Sequence, residues 1–386
     1  MGKALLIINA GSSTVKWSVL DADCPTQSLL KAKVEIHFDK KKLTFYQDDV
    51  KLSNDSFKDY KDITTLILKT LQQCQETQDI IGMGHRIVHG GLKYHSCSQA
   101  DDQVIQDIEN LSILAPLHQR HALDYLKFFR SSFPNIPQFC HFDTAFHQSI
   151  PYHHRVFGLP QRLAEEGVIK YGFHGIAYES VVQHLKQRCP TEFPNKVVAI
   201  HLGSGCSMAA LKNGKSFDTS MGFSTLDGLI MSTRSGSLDP GALLFMVNHY
   251  KMSYQEIENL LYHDSGIRGL SGISSDLRDI EYDSDLFNRV LNIFCHSAVK
   301  NLFSLIGVLG GVDAITFSGG IGENSSLVRK KIADRLTWLG LEMDEKANTS
   351  HASILTKPTS QIKAFLMSIN EEQVIAFHIQ QLLKRG

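Results

Sequence analysis

At 386 residues, 42% of them hydrophobic and 20% charged, the chain is long enough for two domains with ample cores. A formal net charge of -1 and a pI near 7.0 exclude a global basic field that would hold nucleic acid, so an anionic ligand must be met by local groups. Seven cysteines without a C-x-x-C pair argue for reduced thiols in a cytoplasm rather than a disulfide or zinc framework, and the first residues lack a signal-peptide pattern.

The expected elements begin with an apolar run over 4–8, read as a buried strand. Val15, Trp17 and Val19, alternating with Lys16 and Ser18, read as a half-buried one. The intervening Asn9-Ala10-Gly11-Ser12-Ser13-Thr14 makes the pair a hairpin whose turn offers a phosphate backbone N–H groups, three hydroxyls and the Lys16 cation. It lacks the spacing and following helix of a Walker A loop, and an ordinary Gly/Ser hairpin is the alternative reading.

Residues 35–61 are polar and strand-like, and Ile63, Leu66, Ile67, Leu68 and Leu71 form a helical stripe. Residues 80–91 form an apolar strand that carries His85 and Arg86 to a glycine pair. An arginine on a buried strand needs an anionic partner or a wet cleft, so Arg86 is either a ligand clamp or half of a buried ion pair. Residues 115–118, APLH, precede a helix through Phe129. After a proline break, a strand from Gln138 delivers Asp143 at its end, where open α/β sheets place their chemistry.

Residues 170–175 form a glycine-bracketed loop before a helix over 178–188, and His174 there is either functional or bonded to the backbone. Residues 196–222 repeat the opening design: an apolar strand, a Gly203-Ser204-Gly205 turn, an outgoing strand and a second hairpin turn at Asn213-Gly214. His201 follows Asn9 by 192 residues, close to half of 386, so the halves read as a duplicated fold with one phosphate-facing hairpin each.

Residues 222–241 read as a long loop carrying Arg234; Asp239 and Pro240 suit the start of a helix, and Ser253 with Glu256 forms a capping box for another. Residues 290–312 read as a core helix rather than a membrane span, because Asn292, His296, Lys300 and Asn301 interrupt it. A strand over 312–317 ends in a Gly319–Asn324 turn with a helix from Ser325, a nucleotide-type arrangement for which a close-packed turn is the alternative. Glu371 and Glu372 open the last helix as macrodipole partners. The pairs His118/His121 and His153/His154 lack a third ligand at zinc spacing.

Ten ordered motifs carry a resemblance: NAGSSTVK (9–16), GHRIVHGG (84–91), APLH (115–118), FDTAFHQSIP (142–151), YGFHG (171–175), HLGSGCS (201–207), DTSMGF (218–223), GLIMSTRSG (228–236), SGGIGEN (318–324) and NEE (370–372). Together they resemble the acetate kinase family, with its propionate and butyrate kinase relatives, over nearly the whole chain. The resemblance implies a duplicated two-lobe α/β fold of the actin/hexokinase (ribonuclease H-like) type with an active-site cleft between the lobes. Residues 1–145 plus 373–386 would form the carboxylate and metal side, and 146–372 the nucleotide and dimerisation side. The implied reaction is reversible in-line transfer of the γ-phosphoryl of ATP to acetate, giving acetyl phosphate and ADP, in a cytoplasmic homodimer without nucleic-acid or membrane partners. A propionate or butyrate kinase is the alternative, and a non-catalytic nucleotide-binding protein a more distant one.

By the same resemblance Asp143, Arg86, His174 and Arg234 are catalytic, and Arg86, Val88, Leu117, Phe173 and Thr225 receive acetate or another short-chain carboxylate. Ser12, Thr14, Lys16, His201, Leu202, Gly203, Ser204 and Gly205 meet the ATP phosphates, Asp276, Leu277 and Arg278 the nucleoside, and Gly320, Ile321, Gly322, Glu323 and Asn324 the adenosine side. Asn9 and Glu371 hold Mg²⁺, with Mn²⁺ as the alternative cation. These residue types suit the reaction, because phosphoryl transfer asks for positioning and for cations around the equatorial oxygens. A carboxylate nucleophile is already ionised at pH 7, so Asp143 reads as a positioning or metal-linked residue, although the family assigns it acid/base work. Four departures from the family pattern stand out: Ser204 where HLGNG has Asn, Gln119-Arg120-His121-Ala122 after His118, Thr225 in place of a proline, and Lys170 in place of an arginine. They predict a more polar or differently shaped carboxylate pocket.

Overall fold

The computed structural model describes residues 2–11, 14–37, 42–56, 60–73, 79–114 and 116–384. The chain divides into two compact units, Met1–Phe146 with Asn370–Gly386, and His147–Ile369. Asn370 onward therefore returns to the first unit, and Glu371 shares a unit with Asn9.

The first unit is built on one sheet of β1 (Ala4–Ala10), β2 (Thr14–Asp21), β3 (Ser28–His37), β4 (Lys42–Gln47), β5 (Val50–Ser56), β6 (Ile80–Ile87), β7 (Ser98–Gln99) and β8 (Gln138–Phe142), in the order β5-β4-β3-β2-β1-β6-β8-β7. β1 to β5 form an antiparallel meander, while β6 runs parallel to β1 and β8 parallel to β6. All seven β1 residues are buried, as befits a strand covered on both faces. Leu6 and Ile8 join Trp17, Phe45 and Phe129 in one core with Ile63 and Ile67 of α1 (Tyr60–Gln73). Trp17 stacks on Phe45 at 5.8 Å between centroids, and its buried N–H donates to Thr70 Oγ1 at 3.0 Å. A second cluster joins Ile87, Tyr94 and Phe142 to α2 (Asp102–Asn110) and α3 (Pro116–Ser132). The C-terminal helix, Glu371–Leu383, covers β6 so closely that a Cβ on Gly84 would lie 2.6 Å from Ile379 and 2.7 Å from Ile375.

The second unit holds β9 (Lys196–Leu202), β10 (Cys206–Lys212), β11 (Lys215–Thr219), β12 (Ala314–Ser318) and β13 (Lys363–Leu366), in the order β11-β10-β9-β12-β13. β9, β10 and β11 are antiparallel, and β12 runs parallel to both β9 and β13. This reproduces β3-β2-β1-β6-β8, so the duplication expected from the two hairpins is present in the strand order, which is that of the ribonuclease H-like fold. Asn213 and Gly214 both take positive φ (54° and 73°), the type I′ turn that an Asn-Gly pair favours.

The helices of this unit include α4 (Gly175–Arg188), α5 (Pro240–His249), α6 (Tyr254–His263), α7 (Asp285–Leu309), α8 (Gly319–Asn324) and α9 (Ser326–Ala333). Asp239 caps α5 through Gly241 N–H with Pro240 in its first turn, and the Ser253/Glu256 capping box opens α6. α7 is long and apolar enough to cross a membrane by length and composition; Phe294, Ala298, Leu302 and Leu305 along it are buried. Two local expectations change. α4 starts at Gly175 rather than Tyr178, and 319–324 is itself helical instead of an open turn. The second difference has a physical cause: Glu323 Oε1 accepts Gly319 N–H at 3.1 Å, and the wholly buried Arg329 donates to the carbonyls of Gly322 and Glu323, each at 2.8 Å.

Candidate active site

In the N-terminal unit, three parallel strands bring their carboxyl ends together, the position where such sheets bind ligands. Asn9 is the penultimate residue of β1, Arg86 the penultimate residue of β6, and Asp143 directly follows β8. Asp143 is 1% exposed; its backbone N–H donates to Ile87 O, and its carboxylate receives the Arg86 fork, Nε to Oδ1 at 3.0 Å and Nη2 to Oδ2 at 2.6 Å. Arg86 Nη1 donates to Asn9 Oδ1 at 3.0 Å and lies 3.6 Å from Glu371 Oε2. The Asn9 amide in turn donates to Glu371 Oε2 at 2.7 Å and Glu372 Oε1 at 2.9 Å. Burial opposes the charge on Arg86, but Asp143, Glu371 and Glu372 outweigh it and hold the guanidinium pKa above its ordinary value. Of the two sequence readings of Arg86, the geometry shows the ion pair: its fork is taken by the buried Asp143 carboxylate.

The Glu371 and Glu372 carboxylates converge on the Asn9 amide nitrogen, while the Asn9 oxygen is taken by Arg86; the two carboxylates are hard oxygen ligands of the kind a divalent metal takes. Glu372, read from sequence only as a macrodipole partner, is as close to Asn9 as Glu371 is. Asn370 caps the same helix by accepting Gln373 N–H at 3.0 Å. Val88, two residues beyond Arg86, is buried. The next residue, His89, is gripped by the wholly buried Gln119, whose amide accepts His89 N–H at 3.1 Å and donates to His89 O at 2.9 Å. The departure at Gln119 therefore has a structural role that its sequence context did not signal. Ser12 and the Leu117 side chain lie outside the described residues. Thr14 opens β2, and Lys16 is exposed opposite Asn9.

In the C-terminal unit, His201 holds the penultimate position of β9, with Ser207 of β10 directly across from it. Its Nδ1 lies 3.2 Å from Ser318 Oγ at the end of β12, and its ring sits 4.9 Å from that of His174. His174 is the first boundary residue of α4 in the left-handed region (φ 56°), with no side-chain bond to the helix; its Nδ1 instead meets Ser207 Oγ at 2.9 Å. The preceding Phe173, buried, has its carbonyl held by His147 Nε2 at 2.9 Å, while His147 Nδ1 meets Ser216 Oγ at 2.8 Å. Burial pushes the His147 pKa down to about 4, so the ring is neutral with its proton on the nitrogen that faces the carbonyl. A Cβ on Gly205 would lie 3.2 Å from His174 Nε2 and 3.7 Å from Arg234 Nη1, so both side chains flank the turn between β9 and β10.

Two departures find partners here. Arg234 Nη1 donates to the carbonyl of Thr225 at 3.4 Å, a bond that the replaced proline would also accept, and Lys170 pairs with Asp218 Oδ1 at 2.6 Å. Cys206 is buried beneath the turn; its thiol, raised to about 12 by burial, donates to Gly203 O at 3.3 Å.

A pocket of about 720 Å³ gathers Gly203 and Ser204 from the β9 turn, Asp276, Leu277 and Arg278 from their loop, and Gly320, Ile321 and Asn324 from α8. Its volume is that of a small-molecule site. Its apolar side, unmarked in the sequence, comes from Ile280, Tyr282, Phe287, Leu291, Leu327 and Val328. Asp276 is held ionised below the usual carboxylate range by its hydrogen bond from Arg278, at 2.6 Å from Nη2. The other nucleotide candidates stand outside this lining: Leu202 and Gly322 are buried, Glu323 is spent on Gly319, and His201 and Gly205 face His174.

The sequence profile of the Acetokinase family matches residues 4–377. The acetate kinase of Rickettsia felis is 36% identical over 388 residues, covering 99% of this chain and all of the relative. Among solved structures, a propionate kinase from Francisella tularensis superposes with a TM-score of 0.90 at 32% identity, covering 97% of this chain and 98% of the other. The acetate kinase of Porphyromonas gingivalis gives 0.87 at 30%, covering 99% and 100%. With the family profile matched over residues 4–377 and a relative 36% identical over its whole length, this chain belongs to the acetokinase family.

Proposed function

We propose that the protein is an acetate kinase, transferring the γ-phosphoryl of ATP reversibly to acetate. The observation that carries the reading is the Arg86 fork, held by Asp143 at the end of three parallel strands in a chain that matches acetate kinases end to end. The N-terminal unit takes the carboxylate and metal, and the C-terminal unit takes the nucleotide in the glycine-turn pocket. Arg86 is permanently charged and, with its fork held by Asp143 and its Nη1 by Asn9, stands as a fixed cation for a carboxylate or phosphoryl group; Asp143 orients it and has no proton to remove, because acetate is already an anion. His174 and Arg234 donate to the phosphoryl oxygens as charge develops on them. Asn9, Glu371 and Glu372 would hold Mg²⁺, which when bound supplies charge neutralisation for the phosphates.

The test is a steady-state assay with ATP, Mg²⁺ and acetate that traps the acyl phosphate as its hydroxamate, with propionate and butyrate alongside. Highest kcat/KM on acetate supports the proposal; a preference for propionate selects the second reading, which the Francisella tularensis neighbour favours. No acid phosphorylated by an ATP-binding protein overturns both. A second copy of the chain is the expected partner, through the C-terminal unit. α5 has no buried residue and exposes Leu244, Phe245 and Val247, an apolar face that a partner would cover. Leu244→Asp is expected to halve the mass measured by analytical ultracentrifugation, and an unchanged mass would remove α5 from the interface.

A further inference from the structure

We infer that Ser207 and Tyr178 are positioning residues that fix the tautomer of His174, so that its Nε2 carries the proton offered to the substrate. The inference rests on the assignment of His174 to phosphoryl transfer and adds to it the device that aims the donor. Ser207 and Tyr178 are both fully buried, and Tyr178 lies one turn into α4 on the helix that His174 begins. The Tyr178 hydroxyl is in close hydrogen-bond contact with Ser207 Oγ, and Ser207 Oγ lies 2.9 Å from His174 Nδ1. Burial raises the Tyr178 pKa well above its ordinary value, so the phenol stays protonated.

The direction of the chain follows from the chemistry of the three groups. A phenol is a better hydrogen-bond donor than an aliphatic hydroxyl, and an aliphatic hydroxyl a better acceptor than a phenol, so Tyr178 O–H donates to Ser207 Oγ. Ser207 has one proton left to give, and it goes to His174 Nδ1. A neutral imidazole that accepts at Nδ1 carries its proton on Nε2, the nitrogen that faces the Gly205 turn beside Arg234. The hydroxyl chain therefore delivers to that turn one N–H from His174 next to one from Arg234. It also explains why the side chain of a helix-boundary residue leaves the helix end without a side-chain cap.

The test is a long-range ¹H–¹⁵N correlation spectrum of the full chain labelled with ¹⁵N-histidine, with the His174 signals assigned from the His174→Gln variant. The expected spectrum has the His174 proton on Nε2 and a bare Nδ1, and in Ser207→Ala the two nitrogens average toward a mixed tautomer. In the assay above, Ser207→Ala should lower kcat about 10- to 100-fold with KM for ATP and acetate nearly unchanged, and Ser207→Thr should restore most of it. A His174 proton on Nδ1, or an unchanged spectrum in Ser207→Ala, overturns the inference. If Ser207→Ala does not fold, Tyr178→Phe carries the test, since it removes a single oxygen and should still shift the tautomer; no shift overturns the inference. The spectrum needs no turnover, so a wild-type protein that phosphorylates no acid would sink the kinase reading alone, and an active enzyme with the wrong tautomer would sink this one alone.

Discussion

The two units put the same strand order to different chemical use. Asn9 in β1 and His201 in β9 occupy equivalent penultimate positions, yet their surroundings are unlike. Around Asn9 stand Arg86, Asp143, Glu371 and Glu372, a network of full charges in which the guanidinium is outnumbered by carboxylates. Around His201 stand Ser207, Ser318 and His174, hydroxyls and imidazoles without a carboxylate among them, joined by single hydrogen bonds and a ring contact. The difference teaches that topology sets where strand ends converge, while the side chains placed there decide whether the cluster is an ionic network or a set of hydroxyls and imidazoles.

The largest way to break the comparison is Arg86→Ala. It should lower kcat/KM by about 10³-fold or more and cost about 3–5 kcal/mol of stability, because Asp143 is left buried without its fork. Arg86→Lys keeps the charge and loses the fork, so a lysine variant as active as wild type would show that geometry is unimportant here. Thermal melts and steady-state kinetics read both effects.

Acid should act next. Burial holds His85, His89 and His147 near pKa 4, against 6.5 for an unfolded histidine. The unfolded chain then binds more protons between those values, so stability is full above pH 6.5 and falls as pH drops toward 4, on the order of 1–2 kcal/mol per histidine by pH 5. An unchanged melting temperature between pH 7 and 5 would contradict neutral burial. Two of the three lie in the N-terminal unit, so hydrogen exchange at pH 5 should rise more there.

In the C-terminal unit, Gly205→Ala would place a methyl 3.2 Å from the His174 ring, and a loss of about tenfold in kcat with little change in melting temperature is expected. An unchanged rate would place His174 away from the chemistry. The smallest effect belongs to Ser204→Asn, which adds an amide to the pocket lining; it should lower KM for ATP about two- to fivefold, within the worth of a single hydrogen bond.

Much of this was legible locally. Apolar runs marked β1, β9 and β12, alternation marked β2, Asn213-Gly214 marked its turn, and Asp239, Pro240, Ser253 and Glu256 marked helix starts, because each signal lies within a few residues of its effect. The motifs also named the residues that converge at Arg86 and at the glycine-turn pocket. What stayed hidden were partners distant in sequence: Gln119 on His89, Ser207 with Tyr178 on His174, Glu372 on Asn9, and Arg329 closing α8. Nothing in the spacing of a glutamine or a buried serine says which backbone or ring it will meet.

By itself, then, the amino-acid order determined the two hairpins, their half-chain repeat, the family and several of the residues that gather at Arg86 and at the glycine-turn pocket. Only the tertiary structure decided that Arg86 is aimed by Asp143, that the Asn9 amide bridges a guanidinium and two carboxylates 362 and 363 residues away, and that His174 leans on a buried hydroxyl. The physical reason is range. Backbone propensity and periodicity act over one or two turns of chain, whereas the orientation of a buried polar group is set by whichever donor or acceptor the packed sheet brings within hydrogen-bond distance of it.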